Sequence, residues 1–183
     1  LRQVDALIRS GHHVTHIGLQ SILSKPTPTR EEYAMSWRIL DAALLARRLK
    51  TEFPQVRIGV IDALPSKGLE YRKPYAELKS ALEAEGSGLG FLHLDMPMSH
   101  PRDGLRGNSW RSMVEVGTFV RTELATPFGL ICTDNVGGAA SSAQFRRYVL
   151  DGLREYLAAG GAADHYVLMS WYPYPDLSVP DTA

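Results

Sequence analysis

Two hydrophobic periods take turns along this chain. Short apolar runs give way to stretches in which apolar residues recur every three or four positions, and the exchange repeats five times. Residues 89–97 show the first kind most clearly. Phe91, His93 and Asp95 fall on one face of a predicted strand and Leu92 and Leu94 on the other, so both faces are largely dry and helices cover at least one of them. The runs 57–65 and 128–135 have the same design: each is apolar until an aspartate, Asp62 or Asp134, and each is followed by a loop and a helical pattern.

The remaining elements follow in order. Leu1, Val4, Leu7 and Ile8 predict a first helix closed by Ser10 and Gly11, and residues 14–23 predict a strand whose end offers Gln20, Ser21, Ser24 and Lys25. Pro26 and Pro28 break the chain. Thr29 with Glu32 then forms a capping box for a helix over 29–52, with Met35, Ile39, Ala42, Ala43, Leu45, Ala46 and Leu49 as its apolar stripe. After the Asp62 strand comes a polar loop, and Pro74 suits the first residue of a helix to about Glu85. Residues 96–108 form the longest predicted loop, with His100 and Asp103 on it. Ser109 caps a helix to about Leu124, and a last helix runs from the small residues 137–142 to Gly160 and Gly161. Residues 165–171 predict a fifth strand, with Tyr172 and Tyr174 just beyond it. The pattern predicts one βα-repeat domain over 1–175 and an irregular tail over 176–183.

Strictly alternating strands and helices demand parallel strands joined by right-handed crossovers. Two architectures satisfy this. One is the C-terminal part of a (β/α)8 barrel, a fold of ~250 residues and eight units. The other is a five-stranded flavodoxin-like doubly wound sheet, whose usual size suits this length. The barrel is the expectation, because nearly every strand end carries a polar or aromatic group, whereas an open sheet uses mainly its switch point. Strands ending at Gln20, Asp62, Asp95, Asp134 and Trp171 should then be neighbours in sequence order. A start at Leu1, without Met and inside a helical pattern, suits a processed chain or a piece of a longer one.

Composition narrows the function classes. At 183 residues, 44% hydrophobic and 22% charged, the chain can bury a sizeable core. Lys+Arg and Asp+Glu both total 20, so charge provides no footprint for nucleic acid or an anionic membrane surface. No apolar run approaches the ~20 residues that span a bilayer. The single Cys132 leaves no internal disulfide and says little about compartment. No cofactor motif is legible, and compartment and oligomeric state are not written in the sequence.

Three strand-end carboxylates are the main chemical signal. Glycosidic cleavage needs one carboxylic acid to protonate the leaving oxygen and one carboxylate to attack or activate water. The bland alternative is that each Asp caps its own following loop. His93 and Asp95 could begin a metal site completed by His100 or Asp134, or His93 could be a hydrogen-bonded core residue, while His16 and His165 read as packing or strand-edge residues. Trp171, Tyr172 and Tyr174 suit stacking on sugar faces or a plug closing the fold. Gly137 and Gly138 with Ser141 and Ser142 suit a phosphate cradle or a plain turn and cap.

The strands ending in Asp62, Asp95 and Asp134, with a last strand ending Ser170-Trp171-Tyr172-Pro173, resemble the later strands of a (β/α) barrel glycoside hydrolase. In the large retaining clan of that superfamily an acid/base Glu follows the fourth strand, the nucleophile the seventh, and an aromatic residue lines the sugar site after the eighth. If the last strand here is the eighth, the resemblance implies that Asp134 stands at the nucleophile position and Trp171 at the aromatic one. Gln20, not Glu, then stands at the acid/base position. A glutamine cannot give up a catalytic proton, so Asp62 or Asp95 takes that role, or the chemistry differs, or the domain is a non-catalytic relative. The expected site therefore comprises Asp62, Asp95 and Asp134 as acid, base or nucleophile, with Gln20, Lys67, His93, Asn135, Trp171 and Tyr172 binding a carbohydrate substrate and no resident metal. The alternatives are a metal- or phosphate-dependent barrel enzyme using His93 and Asp95, or a non-catalytic carbohydrate-binding domain. Strand phase puts each Asp in step with Val60, His93 or Cys132. If those residues face inward, at least two of the carboxylates share a cleft with Trp171 or Tyr172.

Overall fold

A computed structural model describes residues 2–23, 35–63 and 70–176. Strands β1 (His16–Gln20), β2 (Arg57–Ala63), β3 (Leu92–Pro97), β4 (Phe128–Thr133) and β5 (His165–Leu168) form one parallel sheet in that order and alternate with helices. The α/β alternation and the parallel sheet are as the hydrophobic pattern predicts, and the strands lie in sequence order. The chain packs as two compact units. One holds the described residues up to Asp62 and from Glu70 to Leu92, the other Ala63 and the described residues from His93 on.

In the first unit, α1 (Arg2–Arg9) precedes β1, α2 (Met35–Glu52) precedes β2, and α3 (Arg72–Ala84) follows. The strands pair in register from His16 opposite Arg57 to Gln20 opposite Ile61. Ile58 and Val60 of β2 are buried in one cluster with Ile39, Ala46 and Leu49 of α2 and Leu78 and Leu82 of α3. Leu45, expected in the stripe of α2, is exposed instead. Ten residues beyond Met35, at about 100° per residue, it points off the buried face. The capping box at Thr29 and Glu32 lies outside the described residues. Helix α3 begins two residues before Pro74, which occupies its first turn, where the missing N–H removes no intrahelical bond. The Glu70 carboxylate accepts from the N–H groups of Arg72 (2.6 Å) and Lys73 (3.3 Å) and so serves as the cap.

In the second unit the long loop after β3 is folded. It contains α4 (Ser99–Arg102) and a 3-10 turn (Leu105–Gly107). Ser109 caps α5 (Trp110–Thr122), and the Ser112 side chain returns a bond to the Ser109 backbone. Ser141 caps α6 (Ser142–Ala158). β5 stops at Leu168, short of Trp171, and pairs with β4 from Gly129 opposite His165 to Cys132 opposite Leu168.

Strand phase is where expectation and structure part. Val60 faces α2 and α3, not an interior shared with a ligand. In β4, Phe128 packs on α5 at Gly117, and Leu130 and Cys132 share its face by alternation. On the opposite face of β4, Gly129 lies under the His93 ring. Of the three strands only β3 has the expected phase: Leu92, Leu94 and Met96 are buried while His93, Asp95 and Pro97 are half-buried. The cause is compositional. β2 and β4 are apolar on both faces, so their sequences carry no alternation from which a phase could be read.

Candidate functional site

The three strand-end aspartates have different surroundings. Asp62 is 1% exposed. It accepts from the Leu23 N–H, on the turn after β1, at 3.2 Å, and from the hydroxyl of Tyr75 on α3. Burial, then the Asp62 charge, pushes the Tyr75 phenol well above its ordinary value, so Tyr75 stays a neutral donor to the Asp62 carboxyl group.

Asp134, also 1% exposed, organises the turn after β4. Its Oδ1 accepts from the Thr133 hydroxyl (3.2 Å), and its Oδ2 from the Ala139 N–H (3.2 Å) and the Ser170 hydroxyl (3.3 Å). Ser170 in turn accepts from the Tyr172 N–H at 3.1 Å, and the Tyr172 hydroxyl accepts from the Gly137 N–H at 3.0 Å. The Tyr172 ring lies against Gly138, where any Cβ would overlap it. Ser142 and Asp176 join the same region through a hydrogen bond between their side chains. One carboxylate thus ties the end of β4 to the aromatic segment after β5. Neighbouring Trp171 is 58% exposed.

Asp95 is half-buried and shares its face of β3 with His93. The Nε2 of His93 meets Nδ1 of His165 at 3.1 Å, the two rings tilted at 75°. They reach each other across Gly129, because a side chain there would occupy the space of the His93 ring. His165, read from the sequence as a packing or strand-edge residue, lies on edge strand β5 and meets His93 on this face.

The other predicted residues are more scattered. Gln20 is exposed at the end of β1. Asn135 has its side-chain oxygen shielded from solvent, without a hydrogen-bond partner among the described residues. Lys67 lies outside the described residues. Asp134 and Tyr172 come together through Ser170, whereas Asp62 accepts from Leu23 in the turn after β1 and from Tyr75 on α3. Ser170 was missed, and its only signal was its place just before Trp171 and Tyr172.

The described residues bear on three other chemistries. No group of three or more His, Cys, Asp or Glu among the described residues is arranged to hold a metal ion. The small-residue loop is not open as a phosphate cradle, since the N–H groups of Gly137, Gly138, Ala139, Ala140 and Gln144 all donate to protein acceptors. Cys132 is fully buried, and burial pushes its thiol up to about 11, which removes it as a nucleophile at neutral pH. No family model, curated protein or solved structure matches the chain.

Proposed function

We propose that the chain is a segment of a (β/α) barrel of the glycoside hydrolase type and acts on a carbohydrate, with Asp95 handling the proton and Trp171 and Tyr172 forming the sugar platform. The observation that carries this reading is the segment after β5. Tyr172 is fixed by the Gly137 N–H, by Ser170 and by its packing on Gly138, and Trp171 stands exposed beside it. A rigid amphipathic ring at a strand end is what stacking on the C–H face of a sugar requires. Support for the barrel comes from strand order. The strands lie in sequence order, whereas flavodoxin-type winding would place β1 inside the sheet. Trp37 and Leu40 on α2, and Tyr166 and Leu168 on β5, are exposed apolar groups that further βα units would cover.

On this reading Asp62 and Asp134 leave the catalytic role, because their oxygens already accept from backbone and hydroxyl donors. Hydrolysis also needs a second carboxyl ~5–5.5 Å from Asp95 for retention or ~6.5–9.5 Å for inversion. The test is release of reducing ends from a panel of α- and β-linked oligosaccharides. Wild-type protein is expected to cleave at least one of them, Asp95→Asn to bind it without cleaving, and Trp171→Ala to bind it about fivefold or more weakly. Binding without cleavage by the wild type would select the non-catalytic reading, and absence of both would overturn the carbohydrate assignment.

A further inference from the structure

A second polar site lies on the outer side of α6. Arg147, Tyr148, Asp151, Arg154 and Glu155 project from one side of this helix and, with Arg102 of α4, line an open basin of about 440 Å³. It shares no residue with the strand-end cluster and does not depend on the carbohydrate reading.

The charges around the basin do not cancel. Arg154 pairs with Asp151 at 3.1 Å, and Arg102 grips both oxygens of Glu155 through Nε at 3.2 and 3.3 Å. Those pairs account for both carboxylates and leave one guanidinium over. Arg147 has no carboxylate partner among the described residues, its guanidinium lying 6.0 Å from the ring centre of its neighbour Tyr148. In addition, Nη2 of Arg102 is shielded from solvent and has no acceptor among the described residues. An unmet buried donor on a cation is costly, so a small shift of this side chain that gives Nη2 an acceptor would be favourable.

We propose that this basin binds a phosphate group, the charged end of a phosphorylated small molecule, held by Arg102, Arg147 and Arg154. Chemistry favours phosphate over carboxylate. Guanidinium forks match the edges of a phosphate and bind it bidentately. The open fork of Arg147, beside two guanidiniums that also hold carboxylates, suits a tetrahedral anion with several free oxygens better than a planar carboxylate. The basin's size falls within the ~300–1,000 Å³ of small-molecule sites, too roomy for phosphate alone. Arg147 also borders a second basin of about 350 Å³ over the first turn of α6, where Ala140 and Ala143 leave space for the uncharged body of the ligand.

The experiment is calorimetric titration of the whole chain with inorganic phosphate and with phenyl phosphate, using acetate as the carboxylate control. Saturable one-to-one binding of both phosphates is expected, tighter for the ester and much weaker for acetate. Arg147→Ala should weaken it about tenfold or more, the loss of one charge-assisted contact. This variant replaces an exposed helix residue with the best helix former, so the fold is retained. Arg111→Ala, which removes a distant arginine paired with Glu115, should change nothing. No saturable binding by the wild type, or equal binding by Arg147→Ala, would overturn the site. Acetate binding as tightly as phosphate would overturn the ligand class.

Discussion

Asp62 and Asp95 end strands of closely similar composition, yet they meet different surroundings. In β2 the alternating set Ile58, Val60, Asp62 faces the helices, so the carboxylate is buried at the strand's end between the turn after β1 and the phenol of Tyr75. In β3 the fully buried set is Leu92, Leu94, Met96, and Asp95 falls on the other, half-buried face with His93. A shift of one residue in phase separates a carboxylate in the fully buried set of its strand from one in the half-buried set. Position at the carboxyl end of a parallel strand therefore marks a residue as a candidate, and its face decides what it can touch.

Removing Asp62 should have the largest effect on stability. Asp62→Ala leaves the buried Tyr75 hydroxyl and the Leu23 N–H without their acceptor, so urea unfolding is expected to show a loss of about 2–4 kcal/mol. Adding Tyr75→Phe should recover part of it. A loss below about 0.5 kcal/mol would make Asp62 no more than an ordinary surface residue. On the other face, Gly129→Ala should push the His93 ring away from His165 at a cost of about 1–3 kcal/mol. In a His93→Ala background the same change should cost far less. Tyr172→Phe, which deletes the acceptor of the Gly137 N–H, should cost about 1 kcal/mol in the same assay.

The smallest effect is expected from His100. Burial, then the nearby charge of Arg106, lowers its pKa, so the folded state binds fewer protons there than the unfolded chain does. Its contribution is full above the ordinary histidine range and declines as pH falls through that range towards the lowered value. Urea unfolding of wild type and His100→Gln between pH 7.5 and about 5 should converge slightly at the acid end. A gap that widens on acidification would reverse the sign.

Alternation of strand and helix, the caps at Ser109 and Ser141, and the extents of α5 and α6 could be read from the sequence because each rests on local periodicity or a local hydrogen bond. The phases of β2 and β4 could not, since Ile58 to Ile61 and Phe128 to Cys132 look equally apolar from either side. Nor could the pairing of His93 with His165, which depends on strands flanking Gly129 and joins residues 72 positions apart. The folded segment after β3 was hidden for another reason. Its turns run through Gly104, Arg106 and Gly107, all at positive φ, and Arg106 gives no such signal in the sequence.

The most direct test compares Asp95→Asn with Asp134→Asn by kcat/KM on whichever glycan the wild type cleaves, at a temperature where both variants are folded. Asn at position 134 still offers an oxygen to one of the donors that Asp134 holds, so turnover should stay within about tenfold of wild type. Asn at position 95 has no proton to give, and kcat/KM should fall by about a hundredfold or more. The opposite outcome, a folded and inactive Asp134→Asn beside an active Asp95→Asn, would contradict the division between loop-holding and proton-handling carboxylates.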